Sequence, residues 1–316
     1  MKYFRNSPSW TNYRAILAEE FGILLTTEPE ECYRVIRGHN VRIDQWSPSG
    51  LEKGTLILVH GAGGNGRILA PLAEPFAQRG WNVLAPDLPG YGLTRPKPGY
   101  TGEYAEWPAV ISEMADAEPG PTVLIGLSMG GLTAFMAAQM NRNVSGVIAT
   151  TLLDLSDPTV FVRAARWNWL GRLSLFSMAL MPWLFDRLVM PLSLVTPLAA
   201  MSANKRMQAY FQKDPLIGKS WKAARFFRMA HQTRIENWAL HCPLLLVHPG
   251  RDAWTPTELS LAVYEKIQTA KCFLELSNGS HLPVEAPANV ELICEADRFL
   301  NEVVLSNVAT ADSERS

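Results

Sequence analysis

The chain has 316 residues, with 29 Lys and Arg against 30 Asp and Glu, so its formal net charge is −1. This balance excludes a polybasic nucleic-acid binder and an acidic tail protein, and we expect no nucleic-acid partner. Apolar residues make up 47% of the chain and charged residues 19%, which excludes a disordered protein. Length alone allows one or two domains, so the pattern along the chain must decide.

The predicted elements begin with two short strands, 32–37 and 41–47, which a turn joins into a hairpin. Strand-like and helix-like segments then alternate. Strands are expected at 55–59, 81–85, 122–125 and 144–150, and helices within 67–79, 103–113 and 128–140. Strands such as TLILV at 55–59 are apolar at every position, as in a parallel sheet covered by helices on both faces. The pattern predicts an α/β fold with a mostly parallel sheet.

The alternation stops near residue 157 and resumes at residue 243. It continues with a strand at 244–248, a helix within 256–267, a strand at 271–276 and a closing helix within 284–304. We therefore expect a core formed by 1–156 and 241–316, interrupted by a helical insertion at 157–240. The small polar residues 309–316 are expected to form a frayed tail.

The four cysteines (Cys32, Cys242, Cys272 and Cys294) show neither CxxC nor Cys/His ligand spacing. This disfavours a disulfide framework or a metal site and predicts reduced thiols in the cytoplasm. The first residues lack an apolar run with a small-residue cleavage site, so export is not expected. The longest apolar stretch, 173–185, is too short for a bilayer span, which needs about 20 residues.

The sequence GLSMGG (126–131) follows an apolar strand and opens an apolar-periodic helix. In this context a G-x-S-x-G pentapeptide predicts a tight strand-to-helix turn that presents a serine nucleophile. Ser128 would lie at the positive end of the helix, which stabilises an alkoxide. The alternative is a serine that merely caps the helix.

A glycine-rich segment, HGAGG (60–64), follows the strand at 55–59. Backbone N–H groups in such a turn can hold an oxyanion, and the candidate donors are those of Ala62 and Met129. A phosphate-binding loop is the alternative, but the G-x-x-x-x-G-K-[ST] and G-x-G-x-x-G patterns are missing. His60 is expected to brace the loop.

A serine nucleophile needs a base and an acid that orients it. Asp252 follows the strand at 244–248 and His281 follows the strand at 271–276, so both lie at the sheet edge where Ser128 emerges. Each also has a non-catalytic alternative. Asp252 could be a turn-forming aspartate, and His281 could be a solvated loop histidine. Asp154 is a second candidate acid, although we expect it to cap the insertion.

These motifs, together with DLPGYG (87–92), GRDAWTP (250–256) and NGSHLPVEAP (278–287), resemble the α/β-hydrolase superfamily over about 32–304. The chain is most similar to the branch of monoacylglycerol lipases, lysophospholipases and esterases, although GLSMGG departs from the GHSMGG common there. The resemblance implies the α/β-hydrolase fold with a cap over the active site. Ser128 stands where dehalogenases and epoxide hydrolases have an aspartate, which argues against both chemistries.

The insertion carries five of the ten tryptophans and, over 158–240, twelve Lys and Arg against three Asp and Glu, a net charge of +9. Its aromatic residues and methionines are expected partly to form the cap's own core and partly to line an entrance for an apolar substrate. Segment 173–185 is expected to be buried in the cap or to dip into a lipid interface. The charge indicates solvated helix faces or attraction to anionic lipid or an anionic substrate.

The sequence thus predicts a serine hydrolase of carboxylic esters with an apolar acyl chain. Its catalytic residues are Ser128, His281 and Asp252, the reaction passes through an acyl-enzyme, and no metal or organic cofactor is needed. Thioester, lactone, amide or carbon–carbon hydrolysis and acyl transfer stay open on the same residues, as does a non-catalytic binding protein. The oligomeric state stays open too.

Overall fold

The computed structural model describes residues 2–306, so the polar tail expected at 309–316 lies outside the described residues. The ten strands are β1 (Glu30–Ile36), β2 (His39–Trp46), β3 (Thr55–Val59), β4 (Asn82–Pro86), β5 (Thr122–Leu127), β6 (Val144–Thr150), β7 (Val189–Pro191), β8 (Trp221–Ala223), β9 (Leu244–His248) and β10 (Lys271–Glu275). Eight of them form one sheet in the order β1-β2-β4-β3-β5-β6-β9-β10, and β7 pairs with β8 in a separate two-stranded sheet.

The large sheet is parallel from β4 to β10, and the β1–β2 hairpin is joined to it by an antiparallel β2–β4 pairing. Strands β3, β4, β5, β6 and β9 are buried almost throughout, because helices cover both faces. The prediction of a mostly parallel sheet with an N-terminal hairpin is confirmed. The carboxyl ends of β3, β5, β9 and β10 lie at one edge, which is where ligands bind in open α/β sheets.

Helices connect the strands and build the insertion. They are α1 (Pro8–Phe21), α2 (Ala70–Ala77), α3 (Glu106–Asp116), α4 (Met129–Met140), α5 (Pro158–Ala164), α6 (Asn168–Leu180), α7 (Pro182–Phe185), α8 (Leu192–Val195), α9 (Lys205–Lys213), α10 (Ala224–Gln232), α11 (Thr257–Lys266) and α12 (Ala288–Phe299). Short 3₁₀ turns stand at Gly66–Leu69 and Leu198–Met201, and a π-helical turn at Leu300–Leu305 continues α12.

Helix α1 was not predicted from the sequence. Its signals are nevertheless present, since Ser7 accepts a hydrogen bond from the Trp10 N–H, Pro8 is the first helical residue and Gly22 ends the helix with φ +68°. The helix packs on α9 of the insertion through the stacked rings of Tyr13 and Tyr210, whose centroids are 5.1 Å apart. Helix α1 therefore supports the insertion as well as the core.

Within the insertion, a small apolar cluster of Met178, Phe185 and Ala224 is separate from the main core. Other insertion residues, including Leu192 and Leu198, belong to the main core itself. The tie between the two parts is partly polar. Lys222 Nζ donates to the Gly90 carbonyl at 2.6 Å, while its ammonium lies 3.7 Å from the centroid of the adjacent Tyr91 ring.

The apolar segment 173–185 forms most of α6 and all of α7, and much of it is exposed. Phe176 and Trp183 are 63% and 62% accessible. The alternative that this segment is buried in the cap is therefore wrong. Of the five insertion tryptophans only Trp238 is buried, so these side chains do not build the cap's own core. No helix within 2–306 is both long and apolar enough to cross a bilayer.

A buried group of charges lies beneath the β1–β2 hairpin. The guanidinium of Arg42 pairs with Asp44, with Glu31 at 2.8 Å and with Asp87 at 3.5 Å, and the Arg67 guanidinium pairs with Glu31 and Asp44. The side chains of Arg42, Glu31, Asp44 and Asp87 are completely buried. Removing one member would leave the opposite charges buried without a partner.

We expect Arg42→Met to lower the free energy of unfolding by about 3–5 kcal/mol, because the carboxylates of Asp44, Asp87 and Glu31 lose a buried partner. Urea denaturation measures the change. The control is Arg298→Met, whose guanidinium makes ion pairs with Glu295 and Glu302 on the exposed face of α12 and its continuation. Equal stability of the two variants would show that the buried pairs contribute nothing.

Candidate active site

The turn between β5 and α4 places Ser128 in a strained conformation. Its φ of 57° and ψ of −126° lie in a region that residues other than glycine rarely adopt. The Ser128 N–H donates to the Thr150 carbonyl at 2.8 Å, which fixes the backbone. The Ser128 side chain makes no capping hydrogen bond to α4. The structure therefore does not support the alternative of a simple helix-capping serine.

Glycines allow this turn because neighbouring backbone leaves no room for a side chain. A Cβ atom at Gly126 would overlap the carbonyl of Gly130, and one at Gly130 would overlap the carbonyl of Val59. A Cβ at Gly61 would lie 3.0 Å from the Ser128 Cβ atom and 3.2 Å from the Met129 nitrogen. The β3 loop and the Ser128 turn are thus packed backbone to backbone.

Asp252 and His281, which are 29 residues apart in the chain, meet at the edge of the sheet. His281 Nδ1 donates to Asp252 Oδ2 at 2.7 Å, and a carboxylate accepts only, so the proton resides on Nδ1. Asp252 also accepts from the N–H of Trp254 at 2.7 Å and from the hydroxyl of Thr255 at 2.6 Å. Burial alone would raise the pKa of Asp252, but His281 and the hydrogen bonds from the hydroxyl and backbone N–H of Thr255 lower it to about 2.

His281 and Ser128 line the same small cavity of about 20 Å³. The Nε2 atom of His281 is buried and has no hydrogen-bond partner among residues 2–306. Within the described part of the chain no hydrogen bond joins this Nε2 atom to Ser128. In free enzymes such hydrogen bonds are often long or poorly aligned and tighten when substrate binds. The structure therefore brings the predicted serine and histidine to one cavity, with Nε2 of His281 unbonded.

Ala62 and Met129, the predicted oxyanion donors, flank Ser128 on the wall of a larger cavity of about 220 Å³. Met129 is the first residue of α4, where helical N–H groups lack intrahelical partners. Neither the N–H of Ala62 nor that of Met129 donates a hydrogen bond to another group within 2–306. Both N–H groups are therefore available for a ligand in the cavity beside Ser128.

His60 braces the loop, in agreement with the sequence analysis. Its Nδ1 lies 2.8 Å from the Gly61 carbonyl and its Nε2 accepts from the Leu88 N–H at 3.0 Å. Burial lowers the pKa of His60 to about 4, so it is neutral at physiological pH and both its nitrogens are engaged. It is not placed to serve as the base.

Asp154 does not cap the insertion. Asp157 does so, accepting from the Thr159 N–H at the start of α5, whereas Asp154 accepts from Ser156 and pairs with Lys266 at 3.1 Å. From the sequence, this helix cap was predicted at Asp154, three residues before the actual one, because both positions follow a strand. Within 2–306 no group of three or more His, Cys, Asp or Glu side chains is arranged to hold a metal ion.

The large cavity extends from Ser128 into the insertion and is apolar. Its walls include Leu132, Leu153, Phe161, Leu170, Phe185, Leu188 and Phe227. No Asp, Glu, Lys, Arg or His is among the 23 residues that line it. An apolar chain can therefore enter without leaving a charge unpaired, whereas a charged group cannot.

Trp254 is a site residue that the sequence analysis missed. Its ring lies 4.5 Å from the His281 ring, centroid to centroid, and its Nε1–H donates to the Ala164 carbonyl of α5 at 3.1 Å. It also lines the large cavity. Its position two residues after Asp252 was the available signal.

The comparisons with known proteins identify the family of this chain. The family model described as "Serine aminopeptidase, S33" matches residues 50–282, which is more than half of the chain. The chain belongs to this family. The S33 match includes Ser128 and both Asp252 and His281, and the prediction of an α/β-hydrolase is confirmed.

Curated relatives of this S33 member are esterases. The pimeloyl-[acyl-carrier protein] methyl ester esterase of Xanthomonas oryzae pv. oryzae is 35% identical over 112 residues, which cover 35% of this chain and 40% of the relative. The enzyme of the same name from Shewanella sp. is 34% identical over 94 residues, covering 29% of this chain and 33% of the relative. The chain thus matches well under half the length of these relatives.

Solved structures show the same fold. Monoglyceride lipase from Saccharomyces cerevisiae superposes with a TM-score of 0.71 at 18% identity, covering 89% of this chain and 98% of that one. Monoacylglycerol lipase from Paleococcus ferrophilus gives a TM-score of 0.63 at 22% identity, covering 82% and 98%. At these identities the likeness establishes the α/β-hydrolase fold alone.

We expect Gly130→Ala to destabilise the protein by about 2 kcal/mol or more, because the new Cβ would overlap the Val59 carbonyl. Helix propensity alone favours alanine by about 1 kcal/mol, so the sign of the change tests the packing. Thermal denaturation measures it. The control is Gly120→Ala, where nothing lies within 4 Å and only the φ of +74° opposes a side chain. An unchanged or raised melting temperature for Gly130→Ala would contradict the close approach.

Proposed function

We propose that this protein is a serine hydrolase that cleaves carboxylic esters with an apolar acyl chain. The observation that carries the proposal is an uncharged apolar cavity with Ser128 on its wall. The esterase relatives and the family support ester hydrolysis. A peptide substrate with a free amino terminus is disfavoured, because its ammonium would enter a cavity that offers no carboxylate.

In the proposed reaction, the Ser128 hydroxyl oxygen attacks the ester carbonyl carbon while His281 Nε2 accepts its proton. Asp252 orients His281 and stabilises the imidazolium that forms. The N–H groups of Ala62 and Met129 hold the negative oxygen of the tetrahedral intermediate. The imidazolium then gives its proton to the departing alkoxide, which leaves an acyl-enzyme on Ser128. Water, activated by His281, attacks the acyl-enzyme and regenerates the serine. These steps require neither a metal nor an organic cofactor.

The two cavities that meet at Ser128 differ in size and suggest where each half of the ester binds. The acyl chain fits the large apolar cavity. The departing oxygen must approach His281, which lies on the cavity of about 20 Å³. Such a space holds about one water molecule or a methyl group. We therefore assign the small cavity to the alcohol part and to the attacking water.

Residues 157–240 are proposed to act as a cap that shapes the acyl cavity. Helices α5, α6 and α10 supply cavity residues, among them Phe161, Leu170 and Phe227. The core supplies Ser128 and its partners. Ester selectivity would thus be set by the cap and bond cleavage by the core.

The location of the enzyme and its contact with lipid also stay proposals. All four cysteines are unpaired, which fits a reducing, cytoplasmic compartment. The positive cap would favour anionic lipid, but several of its cations are already engaged. Arg206 pairs with Glu19 and Glu20, Arg228 pairs with Asp186, and Lys222 is buried. The charge available at the surface is therefore smaller than the sequence total.

We expect Ser128→Ala to reduce the rate of ester hydrolysis by about 10³-fold or more. The residual activity would come from the oxyanion donors and from substrate binding. Labelling by a fluorophosphonate probe should vanish in parallel. Ser174→Ala is the matched control, because Ser174 lines the same cavity but lacks a base, and it should label normally. Absence of labelling in the native protein would favour a non-catalytic binding protein instead.

For methyl esters of increasing acyl length, we expect kcat/KM to rise about fourfold per methylene until the cavity is full, because each buried methylene contributes about 0.8 kcal/mol. Ser177→Phe places a ring in the cavity and should shorten the preferred chain while leaving the acetate rate nearly unchanged. A flat series, or faster cleavage of thioesters or lactones of the same chain, would reject the proposed substrate class.

A further inference from the structure

The insertion exposes an apolar surface that the proposed chemistry does not use. We define the apolar cap face as Trp169, Leu173, Phe176, Leu180, Trp183 and Leu188. These side chains are 45–63% accessible. The four on α6 follow one another at spacings of four, three and four residues, so they lie along one side of the helix. Helix α7 packs against α6 and adds Trp183.

This exposure is concentrated in one region. Eighteen large apolar side chains within 2–306 are exposed, and twelve of them lie in 157–240, about a quarter of the chain. Scattered exposed apolar residues are normal, but a contiguous aromatic and aliphatic patch marks an interaction surface.

Arginines lie beside the apolar cap face, and the carboxylate of Asp186, which directly follows α7, is paired with Arg225 and Arg228. The guanidinium of Arg187 lies 5.6 Å from the Trp183 ring centroid, and that of Arg166 lies 4.4 Å from the ring of Trp167, which stacks on Trp169. Helices α6 and α7 contain no Asp or Glu. Exposed tryptophan among aliphatic side chains, with arginine beside it, suits the boundary between lipid headgroups and acyl chains.

The apolar cap face is continuous with the large cavity. Leu173 and Leu188 line that cavity and are also 50% and 45% accessible. An acyl chain could therefore pass from a bilayer into the cavity along apolar side chains, without crossing water. A protein partner would not require such an opening, whereas a lipid substrate would.

We propose that the apolar cap face seats on an anionic lipid bilayer, with Trp169, Phe176 and Trp183 in the boundary region and the cavity entrance facing the acyl chains. The identity of the substrate in this proposal rests on the proposed function, whereas the docking on lipid does not. The surface, rather than the total charge of the insertion, is what holds the protein on lipid, and the arginines at its edge favour anionic headgroups.

The test uses Ser128→Ala protein, so that no lipid is hydrolysed, and co-sedimentation with vesicles of phosphatidylcholine with or without phosphatidylglycerol. We expect binding to both, stronger on anionic vesicles, with the anionic advantage lost at high salt. Adding Phe176→Ser and Trp183→Ser should weaken binding at least about tenfold. The matched control adds Leu24→Ser and Val35→Ser, two exposed apolar residues outside the insertion, and should bind unchanged.

Further outcomes separate this proposal from its rivals. With Ser128 intact, Phe176→Ser/Trp183→Ser should cleave a short water-soluble ester at the native rate, because neither residue lines the cavity. Vesicle binding that survives this double substitution, or no binding by the parent, overturns the docking surface. Binding to an acidic acyl carrier protein that the same double substitution abolishes, without vesicle binding, would assign the face to a protein partner. If the native protein binds vesicles but does not cleave esters, the proposed function alone is overturned.

Discussion

The close approach of two backbones at the edge of the sheet is the constraint on which the site depends. The turn after β5 passes so near the turn after β3 that Gly61, Gly126 and Gly130 cannot carry a side chain. That contact holds Ser128 at a positive φ and keeps the N–H groups of Ala62 and Met129 beside it. The favourable packing of the buried sheet compensates for the local strain. The main chain thus sets the position of the serine. The other side chains of the site only have to be brought close to it.

The rest of the site is assembled by the sheet and by contacts from the insertion. Strands β9 and β10 end side by side, so the loops after them bring Asp252 against His281 although the two are far apart in sequence. Trp254 packs on His281 and donates to the backbone of α5, which links His281 to the insertion. The position of His281 therefore depends on contacts with the insertion as well as with the core.

Motifs with a strong local cause were predictable from the sequence, and long-range packing was not. The apolar strands, the glycine turns and the order of Ser128, Asp252 and His281 each follow from short-range pattern, and their elements appear as expected. Helix α1 was missed although Ser7, Pro8 and Gly22 mark its ends. The exposure of α6 could not be read from composition, because an apolar helix looks the same whether protein or another apolar phase covers it. Net charge likewise did not reveal which cations pair internally.

The contact between α1 and α9 has a mechanical consequence. Stacking of Tyr13 on Tyr210, with the Arg206 pairs to Glu19 and Glu20, fastens the later half of the insertion to the N-terminal segment. The earlier half, α5 to α7, packs on a small cluster that it shares with Ala224 of α10, and within 2–306 no ion pair or ring stacking joins it to α1. The two halves of the insertion therefore rest on different parts of the core, α9 on α1 and α5 on Trp254. The first helix, which is remote from Ser128, thereby takes part in holding the wall of the insertion in place.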